Sequence, residues 1–297
     1  MTTATAEIAA PAARRWSAAL RPAEWQLVLP LALAYAAFFL VPLVLLILVS
    51  FFDDEKITTM GGAQWTKFLG DRFTWKVIAD TLKLGVFTVA ATSLIGVPVA
   101  LVYLGASARW QGVILFVVIL PLLTSVVVRT FAWIVILGRE GVINQTVLWL
   151  GLSPAPLRLL QTEHGLVIAL TQIEMPLLLL PLLSVMSRMD PNLRDASSAL
   201  GASKWRTLFR VTLPLSLPGL VAGCMLVFAS STTAFISQFV IGGNRLVYLP
   251  LLIWQQSLVV YNWPLASAAA LTLLVSVGLG VAAIAAVGRR GHAWALH

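Results

Sequence analysis

Two charged residues stand inside otherwise uncharged apolar runs, and these residues are the best placed to do chemistry. Arg129 lies in the run from about 112 to 137, and Glu174 lies in the run from about 165 to 188. A charge this deep in an apolar helix is costly, so it is normally paired or used for function. The two residue types predict either an ion pair between two helices or a binding surface for a charged solute.

The two charges are expected at the same depth. Arg129 is 8 residues from the outer end of its run near 137, and Glu174 is 9 residues from the outer end of its own run near 165. At 1.5 Å per residue, both lie roughly 12–14 Å below the outer surface. A structural ion pair that locks the two helices and a role in lining a solute path are therefore both open.

A stripe of small polar residues occurs in the apolar run 211–244. Ser230, Thr233 and Ser237 are spaced i, i+3, i+7, and Gln238 is adjacent. Such stripes commonly serve helix packing in membranes. The alternative is that these four residues line the same solute path as Arg129 and Glu174.

Enzymatic chemistry has little support in the residue pattern. The three histidines are not spaced as a metal pair, and the one cysteine, Cys224, can form no internal disulfide. Within the apolar runs there is no carboxylate pair at helical spacing and no Ser/His arrangement. We therefore expect no catalytic residue, no metal site and no cofactor in this chain.

The elements that must position these residues are membrane helices. The sequence is 59% hydrophobic and 11% charged, whereas a soluble domain carries about 25% charged residues. A helix needs about 20 residues to cross an apolar core of ~30 Å. The runs predict an all-α integral membrane protein with six transmembrane helices at 25–52, 82–105, 112–137, 165–188, 215–241 and 264–288. A short interfacial or re-entrant helix is expected at 247–261.

Basic residues predict the orientation of these helices. With both termini in the cytoplasm, eleven Lys and Arg residues fall inside and eight fall outside. This orientation explains the net charge of +8 without nucleic acid as a partner. We expect residues 1–24 to form a cytoplasmic N-terminal tail, 25–290 a six-span domain and 291–297 a cytoplasmic C-terminal tail.

A polar loop, residues 189–214, separates the fourth and fifth spans. It contains the sequence DASSALGASKWRTLFRVTLP from 195 to 214. Asp190-Pro191 is a good helix start, Gly201 permits a tight turn, and Ser203 can cap a second helix. The pattern predicts two short helices that meet at a corner of small residues. From pattern alone, an amphipathic hairpin lying on lipid headgroups is an equal alternative.

The loop resembles the EAA loop of permease subunits in binding-protein-dependent ABC importers. Asp195-Ala196-Ser197 stands for Glu-Ala-Ala, and Gly201 falls at the expected offset. Val211 stands for the Ile, and Leu213-Pro214 closes the motif. The stretches VVVRTFAWIVILGREGVINQ (126–145) and NWPLASAAALTLL (262–274) are similar to the spermidine/putrescine-type branch. The resemblance covers about residues 25–290 and implies the type I ABC importer permease fold.

The resemblance also implies a division of labour between chains. In such importers the loop is a coupling helix that docks on a separate ATPase subunit. The residues that take this role here are Asp195, Ala196, Ser197, Ala199, Leu200, Gly201, Ala202, Lys204, Arg206 and Pro214. The sequence has no G-x-x-x-x-G-K-[ST] phosphate loop, so ATP-Mg is expected on a dimeric cytoplasmic partner.

The other implied partners are a second permease, related but different, and a periplasmic or lipid-anchored substrate-binding protein. Membrane lipid surrounds the spans, and the implied location is the bacterial inner membrane. We expect the chain to form half of a translocation path and to hydrolyse no ATP itself.

The resemblance implies a polyamine-like substrate, such as spermidine or putrescine, or a related organic cation or zwitterion. Many relatives of this branch carry an acidic residue in the region of span five, and this chain has none there, which counts against a strongly dicationic solute. Amino-acid-like, phosphonate and oxyanion substrates are alternatives. An ion-coupled secondary carrier is a further alternative, although such carriers often show two matching halves and no repeat is evident here.

Overall fold

The structure is a computed structural model that describes residues 22–190 and 192–295. The chain divides into two compact units, residues 1–46 and 47–297. The described part of the first unit is helical and belongs to α1 (Pro22–Ser50). This helix is apolar on all faces, which is typical of a membrane span. Most of the predicted N-terminal tail, 1–24, lies outside the described residues.

In the second unit, a hydrogen-bonded turn follows the end of α1. Phe52 and Met60 form an isolated antiparallel bridge. Inside this turn the Asp54 carboxylate accepts hydrogen bonds from the hydroxyl and backbone N–H groups of Thr58 and Thr59. These bonds, first the one from the Thr58 hydroxyl, hold the pKa of Asp54 well below its usual range. The turn is therefore an ordered feature, and α2 (Ala63–Gly70) follows it.

Helix α3 (Arg72–Gly105) is longer than the predicted span 82–105. The Asp71 carboxylate accepts a hydrogen bond from the Phe73 N–H at 3.0 Å, and this cap starts the helix before the apolar run begins. At 1.5 Å per residue its 34 residues extend about 51 Å, which exceeds an apolar core of ~30 Å. Its first turns therefore project beyond the membrane core.

The third predicted span is bent instead of straight. Helix α4 (Ala108–Ile119) continues into a 3-10 turn, Leu120–Leu123, and the chain then turns by 104° before α5 (Val126–Leu137). Pro121 lies in the 3-10 turn and has no N–H to continue the α-helical pattern, which accounts for the end of α4. Helix α6, Val142–Trp149, follows α5. With this bent pair taken as one span, the described residues contain six candidate membrane spans.

Helices α7 (Glu163–Met186) and α10 (Leu213–Thr233) pack closely against each other. Two glycines of α10, Gly219 and Gly223, face α7 without side chains. A β-carbon at Gly223 would lie only 2.7 Å from the Leu178 carbonyl oxygen. Close approach of this kind is typical of small residues at helix interfaces in membranes.

An ion pair connects α3 to the start of α7. The Lys83 ammonium lies 2.8 Å from the Glu163 carboxylate and 5.3 Å from the centre of the Phe87 ring. Among the side chains that the structure describes, no other ion pair is closer than 4.0 Å. Both side chains are partly exposed, so water screens the attraction and the pair contributes little to stability.

The remaining helices form the polar loop and the last spans. They are α8 (Asn192–Ala199), α9 (Lys204–Thr207), α11 (Phe235–Gly242), α12 (Leu249–Trp254) and α13 (Trp263–Ala295). A π-helical turn joins α9 to α10 without a break, so Lys204–Thr233 runs as one helix of 30 residues. Helix α12 lies within the predicted short helix 247–261. Helix α13 continues past the predicted end at 288 into the predicted tail 291–297.

Candidate functional site

A polar cavity of about 510 Å³ lies in the second unit, between α5, α7, α10 and α11. Five of the six residues predicted for the solute path line it together: Arg129, Glu174, Ser230, Thr233 and Ser237. The structure thus brings together residues from four helices spread over more than 100 positions of the sequence. Apolar side chains complete the wall, among them Leu122, Ile173 and Leu177.

Glu174 is the buried acidic group of this cavity. Glu174 is only 3% exposed. It lies in α7, on the side that faces Ser230 of α10. Ser230 of α10 lies beside its carboxylate, and the positive charge of Arg129 also acts on it. However, no nitrogen–oxygen contact within 4.0 Å joins Arg129 to Glu174, both of which are among the described residues. Of the two alternatives that the sequence left open, the direct ion pair between the two helices is not formed.

Arg129 is positioned by the bend of the third span. It lies one turn after the break at Thr124–Ser125, and its guanidinium donates long hydrogen bonds to the Ile173 carbonyl at 3.4 Å and the Thr124 carbonyl at 3.5 Å. Its Nε is buried and has no hydrogen-bond partner. The guanidinium therefore has binding capacity that the protein does not use.

A second break, in the predicted fifth span, shapes the opposite wall. Helix α10 ends at Thr233, and α11 begins at Phe235 after Ala234, whose ψ of 63° is not helical. Beyond the break, the Ser237 hydroxyl lies 3.3 Å from the Thr130 hydroxyl of α5. The two breaks are what separate the helices around the cavity.

Gln238 does not line the cavity. It is fully buried, and its amide nitrogen donates hydrogen bonds to the Ser231 carbonyl at 3.0 Å and the Thr232 carbonyl at 3.1 Å. These carbonyls belong to the last turn of α10 and have no helical partner there. Gln238 therefore caps α10 at the break and supports the wall from behind.

The polar loop forms two helices joined at Gly201, as the sequence predicts. Gly201 has φ +79°, a left-handed conformation that glycine adopts without strain. The Ser203 hydroxyl accepts a hydrogen bond from the Arg206 N–H at 3.3 Å, which confirms the predicted cap of the second helix. The Ser197 and Thr207 hydroxyls lie 2.9 Å apart and connect the two helices. The corner is thus held in one shape.

The outer face of this loop is exposed. Leu200 is 89% exposed beside the corner, and Ala196 and Ala199 are also exposed. Trp205 and Phe209 stack with ring centres 6.1 Å apart, and both are exposed. The backbone of Asp195 lies in α8, but its side chain is outside the described part of the chain. The loop therefore presents small and apolar side chains on its outer surface.

Sequence reasoning missed the backbone contribution to the cavity. Val126, the first residue of α5, and Ala234 at the break in span five both line it. The only signal for the first break is Pro121, and no glycine or proline marks the second. Within residues 22–190 and 192–295, no group of three His, Cys, Asp or Glu side chains could hold a metal ion.

Helices that span a membrane around a polar cavity, with an exposed two-helix loop, define a transport subunit. Residues 92–290 match the family described as binding-protein-dependent transport system inner membrane component, and the chain belongs to this family. It is thus a multi-pass inner-membrane protein. The family membership confirms the resemblance seen in the sequence.

Two curated relatives are similar over most of the chain. The spermidine/putrescine transport system permease protein PotB of Haemophilus influenzae is 32% identical over 204 residues, 69% of this chain and 71% of the relative. The protein of the same name from Escherichia coli K12 is 30% identical over 215 residues, 72% of this chain and 78% of the relative. Both matches fall in the polyamine branch that the sequence indicated.

One solved structure supports the fold. A chain of the bacterial alginate ABC transporter, solved in complex with an alginate pentasaccharide-bound periplasmic protein, matches with a TM-score of 0.75. The match covers 90% of this chain and 94% of that chain at 17% identity. The predicted all-α permease fold of a type I ABC importer is confirmed.

Proposed function

We propose that this chain is the permease subunit of an ATP-driven importer and forms half of the path for a small organic cation or zwitterion of the polyamine type. The observation that carries the proposal is the pairing of two features in one fold. A polar cavity with a buried carboxylate lies between the spans, and an exposed two-helix loop is joined to its wall by a continuous helix, Lys204–Thr233.

The exposed loop is the proposed docking site for a cytoplasmic ATPase dimer. Small side chains at Ala196 and Ala199 allow another backbone to approach closely, and the exposed Leu200 offers an apolar contact at the corner. The Ser197–Thr207 contact keeps the two helices at a fixed angle. A docking element of fixed shape passes a movement of the ATPase on to the spans, whereas a flexible one would deform.

The energy source is proposed to lie outside this chain. We propose that ATP-Mg binds the partner ATPase and that this chain binds neither nucleotide nor cofactor. The amino-acid sequence, with no phosphate-loop motif, supports this division. With the loop on the ATPase side, both termini lie in the cytoplasm.

Two further partners complete the proposed complex. A second, related permease supplies the other half of the path, because one six-span bundle is small for an alternating channel. A periplasmic or lipid-anchored binding protein delivers the substrate to the outer side. The description of the family as binding-protein-dependent supports this partner, and so does the alginate transporter, which was solved in complex with its periplasmic protein.

The substrate class is proposed from the relatives and from the cavity. Both PotB relatives are named for spermidine and putrescine transport. In this chain the buried Glu174 offers a carboxylate to an amine inside the cavity. A buried carboxylate is stabilised by a cation that replaces its lost water.

The coupling role is tested by Gly201→Val in the full complex of both permeases, ATPase and binding protein. Valine at φ +79° strains the corner, although a β-carbon meets nothing within 4 Å. We expect normal membrane insertion and assembly, with a several-fold loss of the ATP hydrolysis that the substrate-loaded binding protein stimulates.

Gly151→Val is the matched control for this experiment. Gly151 has φ +67° and is equally free of neighbours within 4 Å, but it lies outside the polar loop. Its strain should leave stimulated hydrolysis unchanged. Equal hydrolysis in the Gly201 variant and the wild-type complex would refute the docking role.

A further inference from the structure

The cavity contains two opposite charges that lie apart from each other. Glu174 is buried, and Arg129 has a buried Nε without a hydrogen-bond partner. Both line the same 510 Å³ space, yet they form no contact within 4.0 Å. A buried charge without a close partner is unfavourable. Each group therefore favours a solute that brings the opposite charge to it.

Three helix ends meet at the cavity. Thr233, the last residue of α10, lines the cavity, and the carbonyl end of a helix carries partial negative charge. Val126, the first residue of α5, also lines it, and the N–H end of a helix carries partial positive charge. Phe235, the first residue of α11, lines the cavity as well, so the N–H end of α11 offsets the carbonyl end of α10. The positive end adds to Arg129, one turn into α5.

Three classes of solute would meet this arrangement differently. A diamine satisfies Glu174 but places its second ammonium in a cavity that also holds Arg129. A simple anion satisfies Arg129 and is repelled by Glu174. A solute with one ammonium and one acidic group satisfies both, and the hydroxyls of Ser230 and Ser237 can accept or donate further hydrogen bonds. The volume is within the range of small-molecule sites.

We propose that the cavity between Arg129 and Glu174 selects zwitterionic solutes, with an ammonium at Glu174 and a carboxylate or other acidic group at Arg129. This inference rests on the proposed function as an import permease and narrows its substrate class. It makes the membrane subunit a second point of selection after the binding protein.

The test is direct binding to the permease–ATPase complex in nanodiscs, without the binding protein. The probes are radiolabelled putrescine, 4-aminobutyrate and butyrate, which share a four-carbon chain and differ in charge. We expect 4-aminobutyrate to bind about tenfold more tightly than either of the others, since each charged hydrogen bond contributes about one order of magnitude. Equal or tighter binding of putrescine overturns the proposal.

Two variants assign the ends of the solute. Glu174→Gln should weaken 4-aminobutyrate and putrescine about tenfold and leave butyrate no weaker. Arg129→Gln should weaken 4-aminobutyrate and butyrate and leave putrescine no weaker. Glu163→Gln and Arg139→Gln are the matched controls, because both residues lie outside the cavity lining. If either cavity variant binds all three probes like the wild-type complex, the assignment is wrong.

Two further readouts distinguish a failure of the zwitterion proposal from a failure of the proposed permease function. If a variant fails to assemble, the order of the three probes in the wild-type complex still decides the proposal. ATP hydrolysis stimulated by the loaded binding protein is measured on the same nanodiscs. Normal stimulation with no preference for 4-aminobutyrate overturns the zwitterion proposal alone, whereas absence of stimulation speaks against the permease function itself.

Discussion

Gly223 of α10 lies directly against the backbone of Leu178 of α7, so close that a β-carbon would stand 2.7 Å from the carbonyl oxygen. Four residues earlier, Gly219 meets Pro181 and Leu182 in the same way. As the residue number rises along α10, the number of the contacted residue falls along α7. The two helices are therefore antiparallel. The same register places Ser230 beside Glu174, so this packing sets one wall of the cavity.

Gly223→Ala is expected to destabilise the protein by about 1–3 kcal/mol, since the added methyl group meets backbone atoms that cannot move to another rotamer. Thermal unfolding in detergent measures the effect. Gly112→Ala is the control, because it also lies inside a helix and its β-carbon would meet nothing within 4 Å. An unchanged unfolding temperature for Gly223→Ala would contradict the close packing of α7 and α10.

Phe228 of α10 fills a slot between Gly85 of α3 and Gly280 of α13. A β-carbon at Gly280 would overlap the Phe228 ring, whereas one at Gly278 would meet nothing within 4 Å. Gly280→Ala should therefore lower the unfolding temperature, and Gly278→Ala should not. Phe228→Leu combined with Gly280→Ala should recover part of the loss, because the smaller side chain leaves room. Equal effects of the two alanine variants would show that this slot is not filled by Phe228.

Gln238→Leu is expected to cost about 1–3 kcal/mol, because it leaves the Ser231 and Thr232 carbonyls buried without a donor. Gln238→Glu should cost more, since its carboxylate would face those carbonyls. Unfolding in detergent again gives the measurement. Gln145→Leu serves as control, because that exposed amide donates to a single carbonyl. A Gln238→Leu protein as stable as the control would mean that the break needs no cap.

The Ser197 and Thr207 hydroxyls are expected to act together in coupling the polar loop to ATP hydrolysis. Ser197→Ala and Thr207→Val each remove the hydroxyl contact of 2.9 Å. The double variant should lose little more stimulated ATP hydrolysis than either single variant, because the contact is already gone. The measurement is hydrolysis by the full complex with loaded binding protein. Strictly additive losses would show that the two hydroxyls act independently.

The loop could be predicted well from the sequence because its signals are local. Asp190, Gly201 and Ser203 are turn and cap residues. Each of them acts on backbone within a few positions of itself in the chain. The apolar runs likewise located the spans, because length and hydropathy alone identify a membrane helix. These features need no knowledge of which helices become neighbours.

Most of the predicted path residues do line the cavity, but the sequence did not show how they are arranged around it. The sequence indicates only that Arg129 and Glu174 lie at equal depth in the membrane. It does not give their positions in the membrane plane, and these decide whether the two side chains meet. The bend at Thr124–Ser125 and the break at Ala234 rotate and displace the flanking helices. Pro121 is the one sequence signal for the bend, whereas no glycine or proline marks the break at Ala234. Of the two alternatives for the polar stripe, Gln238 takes the packing role, because adjacency in sequence does not show which face a residue takes beyond a break.

The uninterrupted helix from Lys204 to Thr233 has a mechanical consequence. Its 30 residues form a rod of about 45 Å that begins at the exposed corner and ends in the cavity wall. If the rod pivots near one end, a tilt of about 5° at the loop moves the other end by about 4 Å, comparable to the width of an ammonium group. Under the proposed docking role, a small rotation of the helix at the loop would therefore displace Thr233 in the cavity wall.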